Sequence, residues 1–468
     1  TPTDERQANR RRVVAGHRGE TIDCGAGSRE RSGVPESGSE AAPVRAVVGV
    51  TRTASRLLAM SLVSLIGLAM LATNGGFVGT AAAAAGNTAP DCSAVSYTGS
   101  GTSSDPYEVG NVDQLQCIEN QGLGNDYELT SDIDASGTSQ WNGQSSFTET
   151  RRDVRSPPKT IQLQYAPIDA STVTVTKQIN NDDVSFNIVD AQAGTIKVTE
   201  TTFDDIDIAY ETQSPVPIGF DPIGESNYQN AFTGTFDGNG YTISKLYISR
   251  NSDYVGLFGR VGSGSGDGRV EAVSVENADI IGSEYVGGLV GLNYGTVTTS
   301  YVSGSISGDS YVGGLIGDDR GGTVSKSYVS VTVSGDRYVG GLVGQSGGTV
   351  TGSYANGSIS ANFFVGGLLG YNDDGSVSTS YATGTVSGSS EVGGLVGYSN
   401  SGTTTNSYWD TESSGEDSSD GGTGLTTSRM QGSSATSNMG GFDFSGTWET
   451  VENSEGDTTG DGYPVLQS

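Results

Sequence analysis

Apolar and polar positions alternate in one short phrase that is written six times between Tyr254 and Tyr408: an aromatic residue, Val, Gly, usually a second Gly, Leu, an apolar residue and Gly. The copies are YVGLFG from Tyr254, YVGGLVG from Tyr285, YVGGLIG from Tyr311, YVGGLVG from Tyr338, FVGGLLG from Phe364 and EVGGLVG from Glu391. Their Val residues (255, 286, 312, 339, 365 and 392) are spaced by 31, 26, 27, 26 and 27 residues. Ser-Tyr keeps the same beat at Tyr301, Tyr328, Tyr354, Tyr381 and Tyr408. A fixed period of this length marks a repeat architecture. Each unit predicts three strand-like pieces, in the second copy Val286–Val290, Thr296–Val302 and Ser305–Ser307, separated by Gly, Asn, Asp and Ser clusters that favour turns. None of the pieces has the 3.6-residue spacing of a helix.

Three short strands cannot bury their apolar side chains alone, so each unit must stack on copies of itself. In-register stacking predicts a right-handed parallel β-helix, a β-solenoid, in which like residues of successive coils lie about 4.8 Å apart in columns. The fixed glycines then serve corners and close approach of one coil to the next. A phosphate-cradling role for them lacks both the Lys and the strand-to-helix setting that such loops use.

The phrase followed by G-T-V-x-x-S-Y-x-x-G-x-[IV]-S-G resembles the GLUG repeat of secreted and surface proteins of prokaryotes, adhesin-like ones among them. Asp105–Ser136 and Gly219–Ile248 look like the leading segments such proteins carry. The resemblance implies a β-solenoid at the cell surface and supplies no catalytic residues.

In chain order, residues 1–50 read as disordered or as spurious upstream sequence. Residues 51–85 read as a signal peptide: Arg52 and Arg56, the apolar run Leu57–Ala72, then the small residues Ala81–Ala85. Cleavage there releases the chain, and retention would leave an amino-terminal anchor. Residues 86–142 read as the amino-terminal cap and first coil, with a short helix over Val112–Asn120. Cys92 and Cys117, exported to an oxidising space, are candidates for a disulfide closing a loop of about 25 residues, worth about 3 kcal/mol; the alternative is two buried thiols.

Residues 143–218 depart from the repeat pattern and read as an inserted β-sandwich-like module. It opens on the basic link Arg151-Arg152 to Lys159 and closes on Pro215-Val216-Pro217. Five strands are predicted between them, beginning at Thr160, Thr172, Val184, Thr195 and Ile206. Asp204, Asp205 and Asp207 read as a solvated turn and edge rather than a cation site. Leading coils follow over 219–260, where Asp237-Gly238-Asn239-Gly240 reads as a tight turn and not as a calcium loop. The repeats occupy 261–408. Residues 409–468 hold a flexible Ser/Gly/Asp-rich linker, Glu412–Gly424, and then a cap built on Met430, Phe442, Phe444, Trp448 and Tyr463–Leu466. Asp457 and Asp461 read as a turn.

Charge narrows the functional classes. The 468 residues carry a formal charge of −30, and beyond residue 85 only 14 Lys and Arg stand against 47 Asp and Glu. That excess repels phosphates and argues against nucleic acid as a partner. Lysine is confined to Lys159, Lys177, Lys197, Lys245 and Lys326. An acidic, lysine-poor surface is the profile of extreme halophiles, since carboxylates keep a surface hydrated in molar salt.

The one histidine, His17, precedes the signal segment, so imidazole catalysis and zinc binding have no residues to use beyond it. No catalytic, cofactor or metal residue is assigned. What remains is carboxylate chemistry of the kind polysaccharide-acting β-helix enzymes use in pairs. Asp309, Asp318, Asp319, Asp336, Asp373 and Asp374 fall at turns and drift between units, which suits solvation better. The sequence therefore points first to a secreted or cell-surface solenoid with a structural or adhesive role, meeting glycans or surface proteins by many weak contacts. A polysaccharide lyase or glycosidase is the alternative.

Overall fold

The computed structural model describes residues 88–467 apart from 152–158, 164–165, 167, 178–182, 200–205, 225–228, 265 and 452–461. The segments 1–50 and 51–85, with Asp204, Asp205, Asp457 and Asp461, lie outside the described residues.

The repeats form a parallel β-solenoid with four strands per coil, not three. In the second copy these are Glu284–Gly287, Val290–Asn293, Thr296–Thr298 and Tyr301–Ser307. The predicted Val286–Val290 piece is broken by the close-packed Gly288, and Thr296–Val302 is broken at Thr299, whose φ is +52°. Ser303-Gly304, predicted as a separator, runs through the middle of a seven-residue strand. Each strand pairs in parallel with its counterpart one coil away: Val286 with Val312, Val290 with Ile316, Val297 with Val324 and Tyr301 with Tyr328. The result is four sheets of 5, 6, 9 and 11 strands. Val286, Leu289, Val290, Val297, Val302 and Ile306 from this coil are all sealed into one continuous apolar core. Burying such side chains contributes roughly 1.5–3 kcal/mol each.

The glycines of the phrase have separate jobs. A Cβ on the second, Gly314 or Gly341, would lie 2.2 or 2.1 Å from the carbonyl oxygen of the same glycine in the next coil. On the third, Gly317 or Gly370, it would lie 2.6 or 2.5 Å from backbone of the preceding coil.

The insertion leaves this path uninterrupted. The amides of Ile218 and Gly219 both donate to the Trp141 carbonyl, and Asn142 Nδ2 donates to the Gly219 carbonyl at 2.7 Å, so the two ends of the inserted segment meet at one neck. Ile133–Asp134, before the insertion, pairs directly with Thr242–Ser244 after it. Between them lie two three-stranded antiparallel sheets, ordered Gln144–Arg151, Ile206–Val216, Ile168–Lys177 and Lys159–Gln162, Thr195–Val198, Phe186–Asp190. They enclose their own core around Ile161, Ile168, Val175, Ile196, Ile206 and Ile208. A sixth strand, Gln144–Arg151, occupies the stretch that leads into the predicted basic link. Asp237–Gly240 is a solenoid corner with Asn239 and Gly240 at φ +49° and +76°, and the strands on either side pair with neighbouring coils rather than with each other.

At the amino-terminal end, Asn111 caps the helix Val112–Gln116, Ile118–Gln121 follows, and Cys92 and Cys117 are joined by a disulfide with Cα atoms 5.3 Å apart. At the other end, Glu412–Gly424 is not a linker. Ser419 Oγ accepts from the Val396 amide at 2.8 Å and the Leu395 amide at 3.2 Å, and the Ser399 amide donates to Asp420 at 2.7 Å. Thr423–Leu425 then adds in parallel to Tyr408–Asp410 as the last strand of the eleven-stranded sheet. Serine and aspartate here satisfy the open strand edge that a final coil would otherwise leave unpaired.

Candidate functional site

The surface of the repeats is a set of side-chain columns, because parallel register places each position above its counterpart one coil away. The first column opens the repeated phrase: Tyr254, Tyr285, Tyr311, Tyr338 and Phe364 stack with centroids 4.8, 4.7, 4.8 and 4.9 Å apart and ring planes within 15° of parallel. All five have φ between +56° and +62°, a conformation costly for bulky side chains. Stacking against the coils above and below offsets part of that cost. Glu391 holds the next place with φ +53°, and the ring column ends there.

Beside it runs the position after the third glycine, occupied in turn by Arg260, Leu292, Asp318, Gln345, Tyr371 and Tyr398. Arg320 lies 5.3 Å from the Tyr285 ring, donates to the Tyr285 hydroxyl at 3.3 Å and pairs with Asp318 at 2.6 Å. Asp318 is fully buried; burial pushes its carboxyl up to about 6, against the lowering effect of Arg320.

The neighbouring residue faces different surroundings. Asp319, also fully buried, accepts from Asn293 Nδ2 at 2.8 Å and from Ser346 Oγ at 3.2 Å, and burial pushes it up to about 7. The sequence predicts both as solvated turn carboxylates; their burial among the side chains of neighbouring coils corrects that. Asp309, Asp336 and Asp374 are exposed, with Asp374 at φ +62°, and Asp373 is half-buried.

The Ser-Tyr signature builds a third column. Tyr301, Tyr328, Tyr354 and Tyr381 stack at 4.5, 4.8 and 4.9 Å. Each preceding serine is a buried staple: Ser327 Oγ accepts from the Ser300 amide at 3.1 Å and donates to the Ser325 carbonyl at 2.9 Å, and Ser353, Ser380 and Ser407 repeat the pattern. The chain's own carboxy-terminal segment covers the end of this column. Trp448 lies 6.0 Å from Tyr354 and 5.6 Å from Tyr381, and Phe442 lies 5.8 Å from Tyr408. Buried Asp410 holds that segment, accepting from Thr427 Oγ1 at 2.6 Å and from the Tyr463 hydroxyl.

The remaining columns are hydroxyls. Thr298, Ser325, Thr351 and Ser378 align on the nine-stranded sheet, and Ser305, Thr332, Ser358 and Thr385 on the eleven-stranded one. From Thr296 to Ser387 the repeat strands of these two sheets contain no Asp, Glu, Lys or Arg.

Among the described residues no three His, Cys, Asp or Glu side chains converge as metal ligands, and no helix is long and apolar enough to cross a membrane. Asp207, the described member of the acidic cluster in the insertion, sits on the strand Ile206–Val216. The sequence markers missed the staple role of the serines, which a polar residue fixed beside the tyrosine in every unit could have signalled. They also missed Tyr371 and Tyr398, which break the repeat pattern.

These columns define a parallel β-solenoid, and three of its stretches, residues 282–307, 335–360 and 362–387, match the model of the GLUG motif. The chain is similar to halomucin of Haloquadratum walsbyi, with 30% identity over 216 residues, 45% of this chain and 2% of halomucin. It is also similar to a provisionally named Gly-rich membrane protein of Evansella cellulosilytica, with 39% identity over 84 residues, 17% of this chain and 9% of that protein. The match thus spans a small part of either relative's length. A solved structure from Bacteroides ovatus, provisionally assigned as an immunoglobulin A1 protease, aligns with a TM-score of 0.47 and 17% identity over 79% of this chain and 94% of its own. A likeness at that level carries no functional argument.

Proposed function

We propose that this chain is a salt-adapted, non-catalytic solenoid exposed at the cell surface or secreted, with a structural and adhesive role, meeting glycans or other surface proteins through its repeated columns. The observation that carries the reading is the repetition itself: coil after coil presents the same hydroxyl and aromatic side chains outward. Such a surface favours many weak contacts over one deep pocket. The buried carboxylates are spent inside the structure, Asp318 on Arg320 and Asp319 on Asn293 and Ser346, so they do not form a pair across a substrate groove. Similarity to halomucin and to a protein named for the membrane supports a surface setting, and the charge of −30 supports high salt.

Incubating the protein in molar salt with cell-envelope preparations and polysaccharides, while assaying new sugar ends, tests the reading. Retention on the envelope without release of sugar is the expected result. Release of reducing or unsaturated sugar would establish the enzyme instead.

A further inference from the structure

In the column that opens the phrase and in the one after its third glycine, stacked rings cover each other's faces, so a ligand that needs a ring face finds one where such a column ends. The two columns end one coil apart. Phe364 closes the first, with Glu391 in the next place, and Tyr398 closes the second, in the last strand of the six-stranded sheet. There Tyr338, Phe364, Tyr371 and Tyr398 converge: Tyr371 and Tyr398 are parallel within 2° at 5.6 Å, Tyr371 lies 5.5 Å from Tyr338 and 6.0 Å from Phe364, and Phe364 lies 5.7 Å from Tyr398. Tyr398 keeps 36% of its surface exposed.

The fold does not require rings at this position. Four earlier coils place Arg260, Leu292, Asp318 and Gln345 there and pair in the same register. Two successive tyrosines, one of them exposed, are therefore free for another task.

Polar groups stand at the hydroxyl end of the pair. Asn400 Nδ2 donates to Asp373 Oδ1 at 3.0 Å, and the Tyr371 hydroxyl lies 3.5 Å from the same oxygen. That leaves Asp373 Oδ2 and the side-chain oxygen Asn400 Oδ1 as acceptors beside an aromatic surface.

We propose that Tyr371 and Tyr398, with Asp373 and Asn400, form a binding platform for a pyranose unit of a neutral glycan. The C–H face of the sugar lies on the Tyr398 ring, and its hydroxyls donate to the carboxylate and the amide oxygen. Asp373, at the Tyr371 hydroxyl, and Asp420, which accepts from the Ser399 amide beside Tyr398, put negative charge at the platform, which disfavours uronic or sulfated sugars. The platform rests on the reading of the chain as a surface solenoid and names its partner class.

Titration calorimetry of the full chain in molar NaCl, with soluble glucan, mannan and xylan oligosaccharides and separately an arginine-rich peptide, tests the proposal. At least one neutral oligosaccharide binds saturably. Tyr371→Gln and Tyr398→Gln, which install the side chain the fold already accepts at Gln345, weaken it about tenfold, the loss expected for one aromatic contact. Tyr398→Phe keeps the ring and the binding, and unchanged thermal midpoints show that the variants fold. Undiminished affinity in both Gln variants, no binding to any of the oligosaccharides, or capture of the arginine peptide in their place would overturn the platform. None of these outcomes bears on sugar release or surface exposure, by which the broader reading is judged.

Discussion

At the corner Asp318-Asp319-Arg320, two adjacent carboxyls are buried with different partners, and burial raises both above their ordinary value near 3.8. For a carboxyl whose folded pKa is raised, the contribution to stability is full below the unfolded pKa and is lost as pH rises through the folded one. Asp319 therefore costs stability progressively between about pH 4 and about pH 7. Asp319→Asn keeps a polar group between Asn293 and Ser346 without the charge. The variant is expected to match the parent near pH 4 and to exceed it near pH 8 by on the order of 2 kcal/mol, read as the difference between their urea unfolding curves. An equal gap at both pH values would contradict the assignment. This was illegible in the sequence, because an aspartate beside glycines looks like a turn residue until the strand register shows which atoms surround it. Asp309 and Asp336 have similar neighbours and are exposed.

The elements were more legible than their breaks. A period of 26–27 residues and the β-branched content identified a stacked parallel solenoid. The division of each coil into four strands depends on single residues, Thr299 or Lys326 at positive φ before a stapling serine, which composition does not distinguish from strand interior. The insertion was visible as a broken pattern, whereas the edge-capping role of Ser418–Asp420 was hidden in a linker-like composition. Two glycines separate the reasons for that residue. In Gly341→Ala the new methyl meets the Gly367 carbonyl oxygen at 2.1 Å, backbone of a packed coil, and a loss of about 3 kcal/mol or more is expected. In Gly321→Ala there is open space but φ is +89°, and about 1 kcal/mol is expected. Equal losses in chemical denaturation would show that close coil approach does not govern the repeated phrase.

Over the whole molecule, charge is partitioned rather than spread. The chain carries 54 acidic residues against 24 basic, yet two of the four sheets of the repeats are uncharged in their strands from Thr296 to Ser387. Exposed carboxylates such as Asp309, Asp336 and Asp374 hydrate the corners, while hydroxyl columns are left able to approach another surface without repulsion. Self-repulsion at this charge is screened over about 3 Å in molar salt but acts over about 10 Å at a tenth of that concentration. The β-sheet circular dichroism and thermal midpoint are therefore expected to rise with NaCl into the molar range. A fold equally stable without salt would contradict adaptation to high salt. Brief protease treatment of intact cells in iso-osmotic high salt, followed by identification of the released peptides, tests whether the repeats face the cell exterior. Peptides from residues 254–410 are predicted in the supernatant while cytoplasmic markers stay inside; their release only after lysis would rule out exposure of the repeats.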